Sequence, residues 1–478
     1  MQDASRALPP FRQPVALIVG TRPEAIKLAA VAVALAETCW ARPTIVTTGQ
    51  HGEVVRETLG LFDLKADVEL TLSTDSDGLA ALGAGLLSAV DGALERIQPT
   101  LVVVQGDTAS TLAGAQAAFF RQIPVAHVEA GLRTGDMALP FPEEANRRMV
   151  SQLTRLHLAP TAKAVRNLRQ ENVAADDILL TGNTVVDALI MARDLRPPYD
   201  DPDLEALDAS GAPMVLVTAH RRESWGEPIR QIGRAVARLS RSYPAIGFVV
   251  AAHMNPAVRD VVEAEVRDCP NVYLPGPIGY GPFIRLLARA TLVITDSGGI
   301  QEEAPAFGVP VLVTRDVTER TESIDAGVAK LVGTDEELIV ESASRLLADP
   351  VAHASMAQAT NPYGDGRAAH RVAEGCGWLF QRNPRPIDFS PVPTCDGHQL
   401  ASAVGSLRNW PGAGSGLSQR ESEVLQLMTQ GMDNRHIAMA LFISGETVKS
   451  HVKAVLRKLA ARDRTHGVVI ALRGHMVS

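Results

Sequence analysis

The chain has 478 residues, 46% apolar and 21% charged, with a formal net charge of −8 at pH 7. That length exceeds one hydrophobic core and predicts two or three globular domains, and the acidic balance excludes a molecule that binds polyanions over its whole surface. Four scattered cysteines (Cys39, Cys269, Cys376, Cys395) form no CxxC pair and no run of eighteen apolar residues occurs, so neither a disulfide framework, a cysteine-held zinc nor a spanning helix is expected, and a reducing cytoplasm fits.

Residues 1–14 lack the apolar stretch of a secretory signal. From Val15 onward, short apolar runs alternate with helical stretches. Runs at 15–20, 44–49, 68–72, 101–105, 124–128, 156–160 and 178–181 predict strands, and their spacing predicts βαβ units around a parallel sheet. Ligands of such sheets bind beyond the carboxyl ends of the strands, so the residues just after each run are the candidates. Gly20-Thr21-Arg22-Pro23-Glu24-Ala25-Ile26-Lys27 follows the first run. Pro23 suits the first turn of a helix, which would aim Arg22 and Lys27 at an anion; two solvated cations are the plainer alternative. Gln105-Gly106-Asp107-Thr108 follows the fourth run. His127-Val128-Glu129-Ala130-Gly131-Leu132-Arg133-Thr134-Gly135 closes the fifth, and Pro142-Glu143-Glu144-Ala145-Asn146-Arg147 comes next. Asp107, Glu129 and Glu143 would share one rim, where carboxylates raise one another's pKa and serve as acid and base. Taken singly, each reads better as an N-cap or as a partner of Arg133 or Arg147; all three on one rim are harder to dismiss.

Residues 187–209 are polar and Pro-rich and predict the crossing into a second domain. A second alternation follows, with runs at 214–218, 248–252, 272–274, 292–295 and 309–313. Thr218-Ala219-His220-Arg221-Arg222-Glu223-Ser224 sets His220 at a carboxyl end, a candidate for phosphate or proton work. The run 292–295 leads into Asp296-Ser297-Gly298-Gly299-Ile300-Gln301-Glu302-Glu303-Ala304-Pro305. Ser-Gly-Gly between strand and helix leaves backbone N–H groups open to phosphate, and Glu303, one turn on, can reach ribose hydroxyls. An ordinary Gly-rich turn is the alternative. Phe283, in Tyr280-Gly281-Pro282-Phe283, could stack on a base, though alone it reads better as core.

Two Rossmann-like parallel-sheet domains facing a cleft make an α/β architecture like that of the GT-B superfamily, an analogy of fold alone. These motifs are joined by Gln50-His51, Thr181-Gly182-Asn183-Thr184, residues 315–320 and Asn361-Pro362-Tyr363-Gly364-Asp365-Gly366. Together, over about residues 15–380, they closely resemble the non-hydrolysing bacterial UDP-N-acetylglucosamine 2-epimerases. The resemblance implies a first domain at 15–186, a UDP-binding domain at 187–365, and a helix near 366–380 packing back on the first. It implies reversible epimerisation at C2 of UDP-N-acetylglucosamine to UDP-N-acetylmannosamine, by anti elimination of UDP and re-addition to a 2-acetamidoglucal. Asp107, Glu129, Glu143 and His220 would be catalytic. Arg22, Lys27, Ser297, Gly298, Gly299, Glu303 and Arg320 would bind the UDP-sugar, with Phe283 near the uracil. No metal or cofactor is implied, and no GxGxxG dinucleotide fingerprint follows either domain's first strand. Ala219, Ile278 and Thr321 depart from the family pattern. Gln50 and His51 fall where relatives bind substrate allosterically, and Gly52 in place of the usual Arg puts that regulation in doubt. A hydrolysing epimerase releasing N-acetylmannosamine, a GT-B glycosyltransferase and a catalytically silent UDP-sugar sensor are the alternatives.

Residues 381–415, rich in Pro, Gly and Ser, predict a linker. Residues 416–478 carry nine Lys and Arg against five Asp and Glu, a net of +4, which leaves −12 on the remainder. A basic end on an acidic chain points to a polyanion-binding module. Ser418 and Glu421 suit a capping box, Gly431 ends that helix, residues 434–441 predict a second, Ser444 caps a third through about Leu459, and Asp463 opens a fourth. This small all-α domain resembles the LuxR-type helix-turn-helix. The resemblance places Thr447, Lys449, Ser450 and Lys453 against DNA and Val448 and Val452 in the core; a helical oligomerisation bundle is the alternative. Both resembled families form dimers, so a homodimer is expected, with UDP-N-acetylglucosamine and DNA as partners and no membrane.

Overall fold

The computed structural model describes residues 12–72, 78–219, 226–252 and 256–391, and towards the C-terminus residues 421, 424–425, 427–428, 437, 445–458 and 461. The chain separates into two compact units, Met1–Pro391 and Val392–Ser478.

The first unit holds two parallel sheets. In the first, β1 (Gln13–Val19), β2 (Ala41–Thr47), β3 (Val68–Glu69), β4 (Leu101–Gln105), β5 (Val125–Val128), β6 (Leu156–Ala159) and β7 (Ile178–Leu180) lie in the order β3-β2-β1-β4-β5-β6-β7. The second orders β8 (Met214–Ala219), β9 (Gly247–Ala252), β10 (Val272–Tyr273), β11 (Leu292–Thr295), β12 (Val311–Val313) and β13 (Ala329–Leu331) as β10-β9-β8-β11-β12-β13. The apolar runs are unbroken because both sheet faces are covered. Leu17 and Val103 pack with helix α1 (Arg22–Glu37), whereas Ala16, Ile18, Val102 and Val104 pack with α3 (Leu79–Ile97) and α4 (Ala109–Phe120). The cluster on the α1 face continues through Leu189 and Ile284 to Val249 and Val293 of the second sheet, so one apolar core joins the two halves. In each sheet the order reverses once, between β1 and β4 and between β8 and β11. Adjacent loops diverge at such a switch point and leave a crevice at the carboxyl ends, which sets where ligands go.

Three stretches differ from the sequence reading. Residues 187–209 are mostly helical: α7 (Thr184–Asp194) runs into them, and α8 (Pro202–Ser210) starts on Asp201, which accepts from Asp203 N at 2.9 Å and Leu204 N at 3.3 Å. An Asp N-cap followed by Pro is a helix start as much as a break. Strand β13 was not anticipated; its short run, Ala-Lys-Leu, is completed by pairing with β12. The expected linker begins too early: residues 381–391 dock on the open edge of β7. There Phe389 N donates to Leu180 O at 2.7 Å and Leu180 N to Asp388 Oδ1 at 2.9 Å, and Phe389 is buried. An unpaired strand edge offers backbone groups that such a segment satisfies. Just before it, α16 (Ala368–Leu379) packs on α1 and α7, its first amides donating to Asp187.

In the second unit, the helix Gly445–Lys458 buries Val448 and Val455, leaves Val452 half-buried, and exposes Thr447, Lys449, Ser450 and Lys453. Val424, Leu425, Leu427, Met428 and Ile437 are helical and buried, and Lys458 donates to Glu421 at 2.6 Å. Ser418, Gly431, Ser444 and the helix expected from Asp463 lie outside the described residues. Among the described residues no helix is long and apolar enough to cross a membrane.

Candidate active site

The loop after β1 is tied to the loop after β4 by one buried carboxylate. Thr21 caps α1, and Glu24, 1% exposed, accepts from Gly20 N at 2.6 Å, Thr21 N at 2.7 Å and Thr111 Oγ1 at 2.9 Å, and also from Thr108. Thr108 is the N-cap of α4, so Glu24 holds in place the turn that presents Asp107. That turn needs Gly106, whose φ is +75°. Gly106 O accepts from His127 Nε2 at 2.8 Å. A carbonyl can only accept, so the ring carries its proton on Nε2. Burial keeps this imidazole neutral, its pKa lowered to about 4.

Asp107 is half-buried, with Arg147 of α5 (Glu143–Leu153) donating from Nε at 2.8 Å and Nη2 at 2.7 Å. Burial pushes the Asp107 carboxyl above the usual carboxylate range; Arg147 and Lys27 oppose the rise and Glu129 adds to it. Glu129 opens the loop after β5 with φ +64°, a left-handed conformation that costs a non-glycine residue roughly 1–3 kcal/mol and is kept only where the surroundings enforce it. Here they do. Lys27 Nζ meets both carboxylate oxygens at 2.6 Å, Asn183 Nδ2 donates at 3.2 Å, and Gln105 donates as well. Burial disfavours the Lys27 ammonium, but Glu129, Glu302 and Asp107 outweigh it and raise its pKa.

On the second sheet, β8 and β11 meet through Thr218 Oγ1 and Thr295 Oγ1, 2.6 Å apart. Ser297 then caps the short α12 (Gly298–Glu303), and its own side chain makes no capping bond. Arg320 lies against this turn: a Cβ added at Gly298 would sit 3.5 Å from its Cζ. Arg320 Nε donates to Glu302 Oε1 at 2.8 Å, and Glu302 Oε2 accepts from Asn183 at 3.2 Å. Glu303 titrates at about 7, raised by burial and by Glu302 against the pull of Lys27 and Arg22. Arg22 itself stands 5.8 Å over the ring of Tyr280, the first residue of α11 (Tyr280–Arg289).

The structure thus brings Asp107, Glu129, Lys27, the Ser297–Gly299 turn, Glu303 and Arg320 around one cleft. A cavity of about 590 Å³ opens beside it, lined among others by Glu129, Arg147, Asn183, Glu302, Arg320 and Tyr363. Lys27 faces a carboxylate rather than solvent. Arg133 serves none of the three acids; it pairs with Glu171 at 2.7 Å. Glu143 opens α5 one turn before Arg147. Phe283 is partly buried against the apolar core. Gln50 accepts from Ser110 at 2.8 Å, and exposed His51 precedes α2 (Gly52–Leu61). His220 lies outside the described residues. Sequence reasoning gave no role to Asn183, Gln105 or Glu302. Asn183 was legible as an N-cap at a strand's carboxyl end; Gln105 and Glu302 stand inside the motifs after β4 and β11, but nothing local in the sequence told what they face.

Residues 33–376 match the family model described as UDP-N-acetylglucosamine 2-epimerase, and residues 415–471 match the one described as bacterial regulatory proteins, luxR family. The chain is 44% identical over 373 residues to the UDP-N-acetylglucosamine 2-epimerase of Escherichia coli K12, covering 75% of this chain and 97% of that one. A crystal structure of UDP-N-acetylglucosamine 2-epimerase superposes with a TM-score of 0.74 at 39% identity, covering 79% of this chain and 99% of the other. The Neisseria meningitidis enzyme bound to UDP-GlcNAc gives a TM-score of 0.65 at 39% identity, with 76% and 99% covered. The chain belongs to the UDP-N-acetylglucosamine 2-epimerase family and carries a C-terminal domain of the LuxR family.

Proposed function

We propose that the protein interconverts UDP-N-acetylglucosamine and UDP-N-acetylmannosamine without hydrolysis, and that its C-terminal domain binds DNA. The observation that carries the first part is the pair Asp107 and Glu129, on neighbouring loops beside two cations. In this reading a carboxylate takes the C2 proton while the C1–O bond breaks and UDP leaves with the electron pair. A carboxylic acid then returns a proton to the opposite face of C2, and the UDP oxygen re-adds at C1. Asp107, lifted by burial, suits the protonated partner; Glu129, ion-paired with Lys27, suits the base; Glu143 and His220 are further proton-transfer candidates. Arg22, Arg320 and the amides of Ser297–Gly299 would hold the diphosphate, Glu303 the ribose, and Phe283 would lie near the uracil. In deuterated water, UDP-N-acetylglucosamine should yield UDP-N-acetylmannosamine carrying solvent deuterium at C2. Free N-acetylmannosamine with UDP would instead mark a hydrolase, and bound but unexchanged substrate a silent sensor.

Ribose hydroxyls donate more strongly to a carboxylate than to a neutral acid, so ionised Glu303 is the form that grips them best. Burial pushes its pKa up to about 7, hence below that pH a proton leaves on binding and affinity should rise with pH up to that value. Calorimetry of the binding of UDP-N-acetylglucosamine, whose phosphates do not titrate in this range, should show affinity weakening up to about tenfold per unit below pH 7 and levelling above it. Glu303→Gln should flatten the curve; a variant that keeps the slope would remove Glu303 from this role.

For the tail, exposed Thr447, Lys449, Ser450 and Lys453 on one helix support DNA contact. Lys449→Ala and Lys453→Ala should each weaken binding to all sequences alike and lower the slope of log K against log salt by about 1. Unchanged slopes would exclude both from phosphate contact. Exposed Phe119 and Phe120, at the end of α4, support the homodimer. Control of transcription by the UDP-sugar is the regulatory part of the proposal.

A further inference from the structure

Asn183 joins the two halves of the site through one amide. It is 3% exposed and is the N-cap of α7. Its Oδ1 accepts from Val185 N at 3.1 Å. That bond fixes the amide orientation, because a flip would set Oδ1 against two carboxylates and the NH2 against an N–H. The Nδ2 group therefore points one hydrogen at Glu129 Oε1 and the other at Glu302 Oε2, both at 3.2 Å. Glu129 belongs to the first sheet's rim and Glu302 to α12, directly after the Ser297–Gly299 turn. Beyond each carboxylate stands a cation, Lys27 on one side and Arg320 on the other. The chain of contacts runs Lys27, Glu129, Asn183, Glu302, Arg320, and its only neutral member is the one that bridges two anions.

We propose that Asn183 is a positioning residue that sets Glu129 for proton transfer and ties its placement to the helix carrying the diphosphate turn. The proposal rests on the reading of Glu129 as an acid/base group. Capping α7 needs only an oxygen acceptor, which Ser, Thr or Asp supplies as well. Bridging two carboxylates needs two hydrogens on one uncharged group at this reach, which those residues lack. Glu129 holds a left-handed backbone conformation, and its other partners, Lys27 and Gln105, belong to the first sheet's half. Among the described residues that hydrogen-bond Glu129, only Asn183 also hydrogen-bonds α12.

The test compares Asn183→Ser and Asn183→Asp, both of which keep a cap, with Glu129→Gln. Asn183→Ser should melt within a few degrees of the wild type and bind UDP within about threefold. Its kcat and its rate of C2 deuterium exchange should fall together, by about 10- to 100-fold. Asn183→Asp sets a third carboxylate beside Glu129 and Glu302, in a site also faced by Lys27, Asp107 and Arg320. Like charges resist ionisation, so the acid limb of the kcat/KM profile should move up by about one pH unit or more. Should Asn183→Ser fail to fold, the profile of Asn183→Asp carries the test. A serine variant with wild-type kcat, or an aspartate variant whose pH profile overlays the wild type, would reduce Asn183 to a helix cap. Near-wild-type turnover by Glu129→Gln would overturn the acid/base reading and the positioning role with it. An inactive Glu129→Gln beside a normal Asn183→Ser would overturn the positioning role alone.

Discussion

Asp107→Asn is expected to lower turnover by roughly 10³-fold or more while leaving UDP affinity within a few-fold of the wild type. General acid–base groups contribute about 10²- to 10⁴-fold, and asparagine cannot exchange a proton with carbon or oxygen. The substitution is close to isosteric. The amide oxygen of the new side chain can still accept from Arg147, which also keeps Glu144 at 3.2 Å, so the turn between β4 and α4 should hold. Apart from Arg22, the proposed UDP grip sits on the other sheet, and it shares no residue with this turn. Stopped assays with both UDP-sugars, read beside calorimetry of UDP, separate chemistry from binding. Turnover within tenfold of the wild type would remove Asp107 from the proton-transfer set.

Gly131→Ala is expected to destabilise the first unit by on the order of 3 kcal/mol, lowering Tm by roughly 4 °C in a unit of this size. Gly131 has φ +91°, which an L side chain rarely adopts. A Cβ there would lie 2.4 Å from Ala164 O, on the backbone of α6 (Ala162–Gln170), and 2.9 Å from Leu168 Cγ. Asn167 Nδ2 holds Gly131 O at 2.9 Å, so loop and helix cannot separate freely. Relief requires α6 to move, which would open the small cluster of Ala130, Ala159, Ala164, Leu168 and Ile178. Gly211→Ala is the control: φ is +69°, yet nothing lies within 4 Å of the added Cβ. It should cost about 1 kcal/mol. Equal melting shifts for the two variants would refute the crowding argument. Activity of Gly131→Ala should fall too, since Glu129 lies two residues upstream.

The strand runs were legible because parallel strands buried on both faces must be continuously apolar, and the motifs were legible because strand ends are where such sheets bind ligands. Misread stretches share a cause. Residues 202–210 carry a helix start that doubles as a breaker signal. Residues 381–391 look like linker in composition, and only the open edge of β7 gives their backbone a partner. The motif around Gly131 was read for chemistry, yet its glycine is required by the close approach of α6.

The sequence by itself determined the α/β architecture, the family and the basic helical module at the C-terminus, and it singled out Asp107 and Glu129 as candidates. These depend on local pattern: apolar period, turn chemistry and motif order. Tertiary structure alone decided what each charge faces. Lys27 meets Glu129 from 102 residues away, Asn183 spans 119 residues to Glu302, and Arg133 pairs with Glu171 rather than with Asp107, Glu129 or Glu143. Charge pairing falls off with distance in space, and distance in space between such residues is set by the packing of whole sheets and helices, which no local stretch of sequence encodes.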